Sequence, residues 1–130
     1  MKARIVFAVA LSMLLLGPAA AQNEVSLVGT WTGQRERIAK VEGYKDGPAT
    51  LVITEQKGRT FKGRLTISGA SGNVNDDLWG AFTPGHRLMA GADDEGVYSF
   101  MLVDENTLDY CYVEAGSSPR AVCARLTRKK

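Results

Sequence analysis

The stretch Leu108–Arg128, LDYCYVEAGSSPRAVCARLTR, holds both cysteines of the chain, Cys111 and Cys123. Drawn as a hairpin whose turn centres on Ser117, it sets Cys111 opposite Cys123, Asp109 opposite Arg125 and Thr107 opposite Thr127 on one face. On the other face Leu108 meets Leu126, Tyr110 meets Ala124 and Tyr112 meets Val122. A single register therefore supplies a cross-strand disulfide, an ion pair, a hydroxyl pair and three apolar pairs. A slip by one residue would lose all of them, because side chains alternate between faces with a period of two. Closing a loop of about 13 residues with the bridge is worth roughly 3 kcal/mol in the chain-entropy model.

The hairpin before it reads YSFMLVDENTLDYCY, residues 98–112. With Asp104-Glu105-Asn106 as its loop, Leu102 faces Leu108, Phe100 faces Tyr110 and Tyr98 faces Tyr112. Asn106 suits the left-handed position of such a loop. Further upstream, LVITEQKGRTFKGRL (51–65) folds back on itself around Gln56-Lys57-Gly58, with Gly58 supplying the positive φ. That three-residue loop pairs Ile53 with Phe61 and Val52 with Lys62, and puts Leu51, Ile53, Phe61, Leu65 and Ile67 on one face.

Short apolar or alternating runs occupy 25–33, 49–55, 60–67, 78–83, 86–92, 97–103, 107–114 and 121–128, separated by Gly, Asp, Asn and Pro. Even spacing of short strands with turn signals predicts an all-β fold. The polar, Gly-rich segments 34–48 and 68–77 read as two long loops. In 78–92 the facing is open: Trp79, Ala81, Leu88 and Ala90 share one side, Leu78, Phe82 and Met89 the other.

The N-terminus has the layout of a secretory signal peptide: Lys2 and Arg4, the apolar run Ile5–Leu16, Gly17-Pro18, then Ala19-Ala20-Ala21. The run is shorter than the about 20 residues needed to span a bilayer. Cleavage after Ala21 is expected, leaving residues 22–130 as a single periplasmic or secreted domain with no membrane span. An even cysteine count in an exported chain of this size agrees with a disulfide. The full chain carries 16 Lys+Arg and 14 Asp+Glu. Loss of Lys2 and Arg4 balances the two signs, and no basic stripe marks a nucleic-acid binder.

Chemistry-bearing motifs are sparse. The single histidine, His86, follows Pro84-Gly85 at a strand-connecting tip and has no patterned nucleophile, so it reads as a turn residue. Asp76-Asp77 and Asp93-Asp94-Glu95 lack the alternating ligand spacing of a calcium loop. Ser68, Ser71, Ser117 and Ser118 fit no nucleophile elbow. Neither a metal nor another cofactor is expected, and no enzyme activity.

The strand LVGTWTG, with Gly29 and Trp31, resembles the Gly-x-Trp opening of the calycin superfamily, the lipocalins and avidins. Arg128, in ARLTR, stands where that superfamily places a basic residue on its last strand. The chain also looks like small uncharacterised secreted bacterial barrels. The resemblance implies an eight-stranded antiparallel up-and-down barrel, plugged at one end by Trp31 with Arg128 packed over its indole by a cation–π contact. Such a barrel is either filled or holds one small ligand. Tyr98, Phe100, Tyr110 and Tyr112 share one face. Tyrosine is a costly core filler because its hydroxyl needs a partner. These four are therefore the expected ligand-binding lining, for a small, partly apolar ligand. The competing expectation is a protein partner, such as a hydrolase of the cell envelope, inhibited through the 34–48 and 68–77 loops.

Overall fold

The computed structural model describes residues 25–69, 72–85 and 87–130. The expected signal peptide, Ser71 and His86 lie outside these. Eight strands follow one another: β1 Gly29–Ala39, β2 Gly43–Lys57, β3 Thr60–Gly69, β4 Gly72–Phe82, β5 Leu88–Ala92, β6 Val97–Asp104, β7 Thr107–Glu114 and β8 Arg120–Arg128. Each pairs antiparallel with the next, and β8 returns to β1, so the sheet is a closed up-and-down barrel. Closure leaves no unpaired edge to aggregate.

The last two hairpins have the registers read from the sequence. Tyr98, Phe100 and Leu102 pair with Tyr112, Tyr110 and Leu108. Cys111 pairs with Cys123, Asp109 with Arg125 and Thr107 with Thr127. Cys111 and Cys123 are disulfide-bonded. The bridge is on the outer face, beside an Asp109–Arg125 ion pair with a 2.7 Å N–O contact.

The β2–β3 hairpin corrects the expected register. Its turn is only Gly58-Arg59, with Lys57 paired to Thr60 and Gly58 at φ 56°. A bulge between Ile53 and Glu55 then sets Ile53 against Gly63 and Val52 against Arg64. The net displacement is two residues. An even shift preserves facing, so Leu51, Ile53, Phe61 and Leu65 remain buried together, with Ile67 packed against them.

The two expected long loops are also corrected. Residues 34–39 continue β1 and 43–48 belong to β2, with Arg35 paired to Gly47 and Ala39 to Gly43. Residues 68–69 and 72–77 extend β3 and β4, with Arg64 paired to Asp77 and Ser68 to Asn73. These stretches are polar on both faces because the barrel interior is polar at this end. The apolar alternation that normally marks a strand is therefore missing.

In 78–92 the inward side is Leu78, Phe82 and Met89, all buried. Trp79 and Leu88 face outward and are about half exposed. Gly80 also faces inward, and the Phe61 ring lies over it: a Cβ there would meet Phe61 Cζ at 2.2 Å. Phe61 in turn packs edge-on against Phe82 and Phe100, at centroid distances of 6.2 and 5.8 Å.

Candidate functional site

The two ends of the barrel differ. At one end the segment 25–28 crosses the opening and buries Leu27. Gln56 ties this segment down: its Oε1 accepts from Leu27 N–H at 2.7 Å and its Nε2 donates to Val25 O at 3.0 Å. Trp31 is wholly buried and donates its indole N–H to Leu27 O at 2.9 Å. Arg128 pairs with Trp31 across β8 and β1, and its guanidinium carbon stands 4.2 Å from the indole centroid. The same guanidinium donates to Val28 O at 3.0 Å, Ser26 O at 2.7 Å and Glu105 O at 3.2 Å. This end is sealed by packing and by satisfied donors. Above it Leu51, Ile53, Leu78, Phe100, Leu108 and Leu126 fill the barrel.

The other end is hollow. A cavity of about 570 Å³ opens between the β1–β2, β3–β4, β5–β6 and β7–β8 turns. Its floor and sides include Tyr98, Tyr110 and Tyr112 with Leu65, Ile67 and Val122. Three of the four residues expected to line a pocket do so. The fourth, Phe100, sits one layer deeper, stacked on Tyr98 at 5.5 Å and packed against Phe61.

The three tyrosines are not equivalent. Tyr98 donates its hydroxyl to Asp93 Oδ2 at 2.9 Å. Asp93 Oδ1 meanwhile accepts from Glu95 and Gly96 N–H, at 2.9 and 2.8 Å, fixing the β5–β6 turn. The Tyr112 hydroxyl lies 3.1 Å from Glu114 Oε2 and 3.4 Å from Asp93 Oδ1. The Tyr110 hydroxyl is buried and has no partner. Burial raises all three tyrosines above the usual phenol range, and for Tyr98 the hydrogen bond to Asp93 adds to it. Tyr110 is pushed up to about 12 by burial, against an opposing pull from the positive charge of Arg35.

Charge divides the mouth into two walls. Arg35, Arg37, Lys45 and Arg120, from β1, β2 and β8, stand on one side, interleaved with Glu42 and Asp46. Asp76, Glu95 and Glu114 stand on the other, with Asp93 behind them. Burial, followed by repulsion from Asp93, Glu95 and Glu114, holds Asp76 above the usual carboxylate range. Arg37 is hydrogen-bonded to Glu42, which is drawn below its usual range as a result. Arg120 has Glu42 and Glu114 each at 3.7 Å. Arg35 is only 7% exposed, yet among the described residues it forms no ion pair, and its Nε has no partner.

The arginines were not singled out in the sequence. Their signal is phase: Trp31 faces inward, so residues 33, 35, 37 and 39 do too. Asp76 comes with Leu78 in the same way, whereas Asp77 points outward to Arg64 at 2.7 Å. Among the described residues no three His, Cys, Asp or Glu side chains are grouped to hold a metal ion. Among the described residues no helix is long and apolar enough to cross a membrane.

Neither a protein-family model nor a curated protein sequence matches the chain. Solved structures do match its fold. A redesigned β-barrel aligns with a TM-score of 0.60 at 12% identity, over 80% of this chain and 92% of that one. A protein of unknown function from the DUF3598 family of Nostoc punctiforme aligns with a TM-score of 0.60 at 12% identity, over 88% of this chain and 53% of that one. The S-type phycobiliprotein lyase CPES of Guillardia theta aligns with a TM-score of 0.57 at 8% identity, over 80% and 89%. At such identities the likeness is one of fold, and that fold is the barrel expected from the sequence.

Proposed function

We propose that this chain is an exported, non-enzymatic binding protein of calycin type that holds a small, partly apolar ligand in the open half of its barrel. The cavity carries the proposal. Its size falls in the range of small-ligand sites, roughly 300–1,000 Å³. It combines aromatic and aliphatic lining with a few placed polar groups, Tyr110 among them. The opposite end is fully packed, so a ligand has one way in. The outer-face disulfide supports export, since such bonds persist in oxidising compartments.

Native mass spectrometry of protein purified from its own host tests this reading. A retained mass that disappears in a Tyr98→Ala/Tyr112→Ala double variant is the expected result. Ligand-free protein from the host, together with no thermal shift across a panel of apolar and amphipathic metabolites, overturns it. The rival reading, a protein partner engaged by loops at 34–48 and 68–77, has lost the long loops on which it relied, since those segments are mostly strand.

A further inference from the structure

We infer that the ligand is an organic carboxylate, and that its carboxylate goes to the bottom of the cavity, between the Arg35 guanidinium and the Tyr110 hydroxyl. The inference rests on the open half of the barrel being a ligand site, and it names the chemical class which that site selects.

Arg35 is the one charged residue in the buried set among the described residues. A buried Lys or His can shed its proton and become neutral, but a guanidinium stays charged at any pH a protein survives. An uncompensated buried charge costs several kcal/mol. Among the described residues Arg35 has no ion-pair partner, and its Nε has no acceptor. The Tyr110 hydroxyl is in the same condition at 2% exposure. The other two tyrosines of the cavity have given their hydroxyls to Asp93 and Glu114.

The register brings the two unmatched groups together. Arg35 pairs with Ala124 across β1 and β8, and Ala124 pairs with Tyr110 across β8 and β7. The residue between them is an alanine, so no large side chain separates guanidinium and phenol. On the other flank Arg35 pairs with Gly47, which again leaves space. Both groups line the cavity, and the charge of Arg35 acts on Tyr110. What is missing is an acceptor with several lone pairs and one negative charge. A carboxylate has both, and it accepts from a planar guanidinium in matched geometry.

The charge count favours a carboxylate over a dianion. Arg37 and Arg120 face Glu42, and Arg120 also faces Glu114. Lys45 and Asp46, which also line the cavity, are both exposed, so among the described residues Arg35 is the one buried cation without an ion-pair partner, and one negative charge matches it. Arg37 and Arg120 line the cavity beside it. Across the mouth Asp76, Glu95 and Glu114 repel an anion, which directs it to the β1–β8 wall.

Calorimetric titration of the intact protein with three matched probes tests this: 2-naphthylacetate, 2-naphthaleneethanol and 2-(2-naphthyl)ethylamine. The apolar body is constant and only the head group changes. Because hydrogen bonds to charged groups are worth about 1.5–3 kcal/mol, the acid should bind about 10- to 100-fold more tightly than the alcohol. Arg35→Gln should erase that preference. Tyr110→Phe should lower the acid affinity several-fold, and it serves as the second variant if Arg35→Gln does not fold. Equal binding of acid and alcohol, or an acid preference that survives both variants, overturns the carboxylate inference while the pocket reading stands. Absence of binding by all three probes overturns both.

Discussion

Trp31 and Arg128 show how one pair of residues closes an end of a barrel. The indole supplies the largest wholly buried side chain, and its N–H is satisfied by Leu27 O. Arg128 sits over the ring and donates to the carbonyls of Val28, Ser26 and Glu105. Trp31→Ala should therefore destabilise the protein by about 3–5 kcal/mol in chemical denaturation. Arg128→Ala should cost less, about 1–2 kcal/mol, through lost stacking and packing together. Unchanged melting temperatures for both variants would refute this account of the sealed end. Tyr110 makes the opposite case, a buried hydroxyl with nothing to bond. Tyr110→Phe removes a desolvated polar atom, so the ligand-free variant should be at least as stable as the parent. Tyr110 is raised to about 12, above the roughly 10 of an unfolded tyrosine. Ionisation of Tyr110 leaves stability untouched below pH 10 and lowers it as pH rises from 10 to 12, because the unfolded chain releases the proton first. Chemical denaturation at pH 9 and pH 11 should show a smaller stability loss in Tyr110→Phe than in the parent. Equal losses would show that Tyr110 ionises as it does in an unfolded chain.

At the scale of elements, the β7–β8 hairpin carries the covalent link. Mapping peptides without reductant should recover Cys111 joined to Cys123, and finding both thiols free in protein isolated under oxidising conditions would refute this. The Cys111→Ser/Cys123→Ser variant should lose roughly 3 kcal/mol, the loop-closure value for this spacing. The barrel should survive that loss, because the bridge is on the outer face and the apolar pairs Leu108–Leu126 and Tyr112–Val122 remain inside. This hairpin and β6–β7 were legible in the sequence because each face has a distinct composition. Apolar rings go inward, and charges, hydroxyls and cysteines go outward. The β2–β3 turn was not, because a two-residue turn followed by a bulge leaves the same inward set as a longer loop does. Facing was recoverable there and partner identity was not. The open-end halves of β1 to β4 were illegible for a different reason. Inward positions Arg35, Arg37, Lys45 and Asp76 are as polar as their outward neighbours, so the period of two vanishes from hydropathy.

The whole molecule joins a packed half to a charged, hollow half, and the two make opposite demands. The packed half supplies stability through Leu, Ile, Phe and Trp side chains, of which Leu51, Ile53, Phe61 and Leu65 were read as one face, Leu78 and Phe82 were left open, and Phe100 was expected in the ligand lining. The hollow half buries the Nε of Arg35 and the hydroxyl of Tyr110 with no partner for either among the described residues. That second half was only partly legible, since the tyrosine face was visible in the sequence but the arginines opposite it were not. A binding site held in this state is less stable empty than an apolar filling would be. Replacing buried ionic groups by apolar ones of similar volume is often stabilising by about 1–4 kcal/mol, most readily where the charge lacks a partner. Arg35→Met keeps much of the side-chain length and removes the charge. In the absence of ligand it should raise the unfolding free energy by about 1–3 kcal/mol. Differential scanning calorimetry of the two ligand-free proteins reads this as a higher melting temperature for the variant. If Arg35→Met instead melts well below the parent, the guanidinium is already paid for within the empty barrel, and the mouth is a structural ionic network rather than a site awaiting its counter-charge.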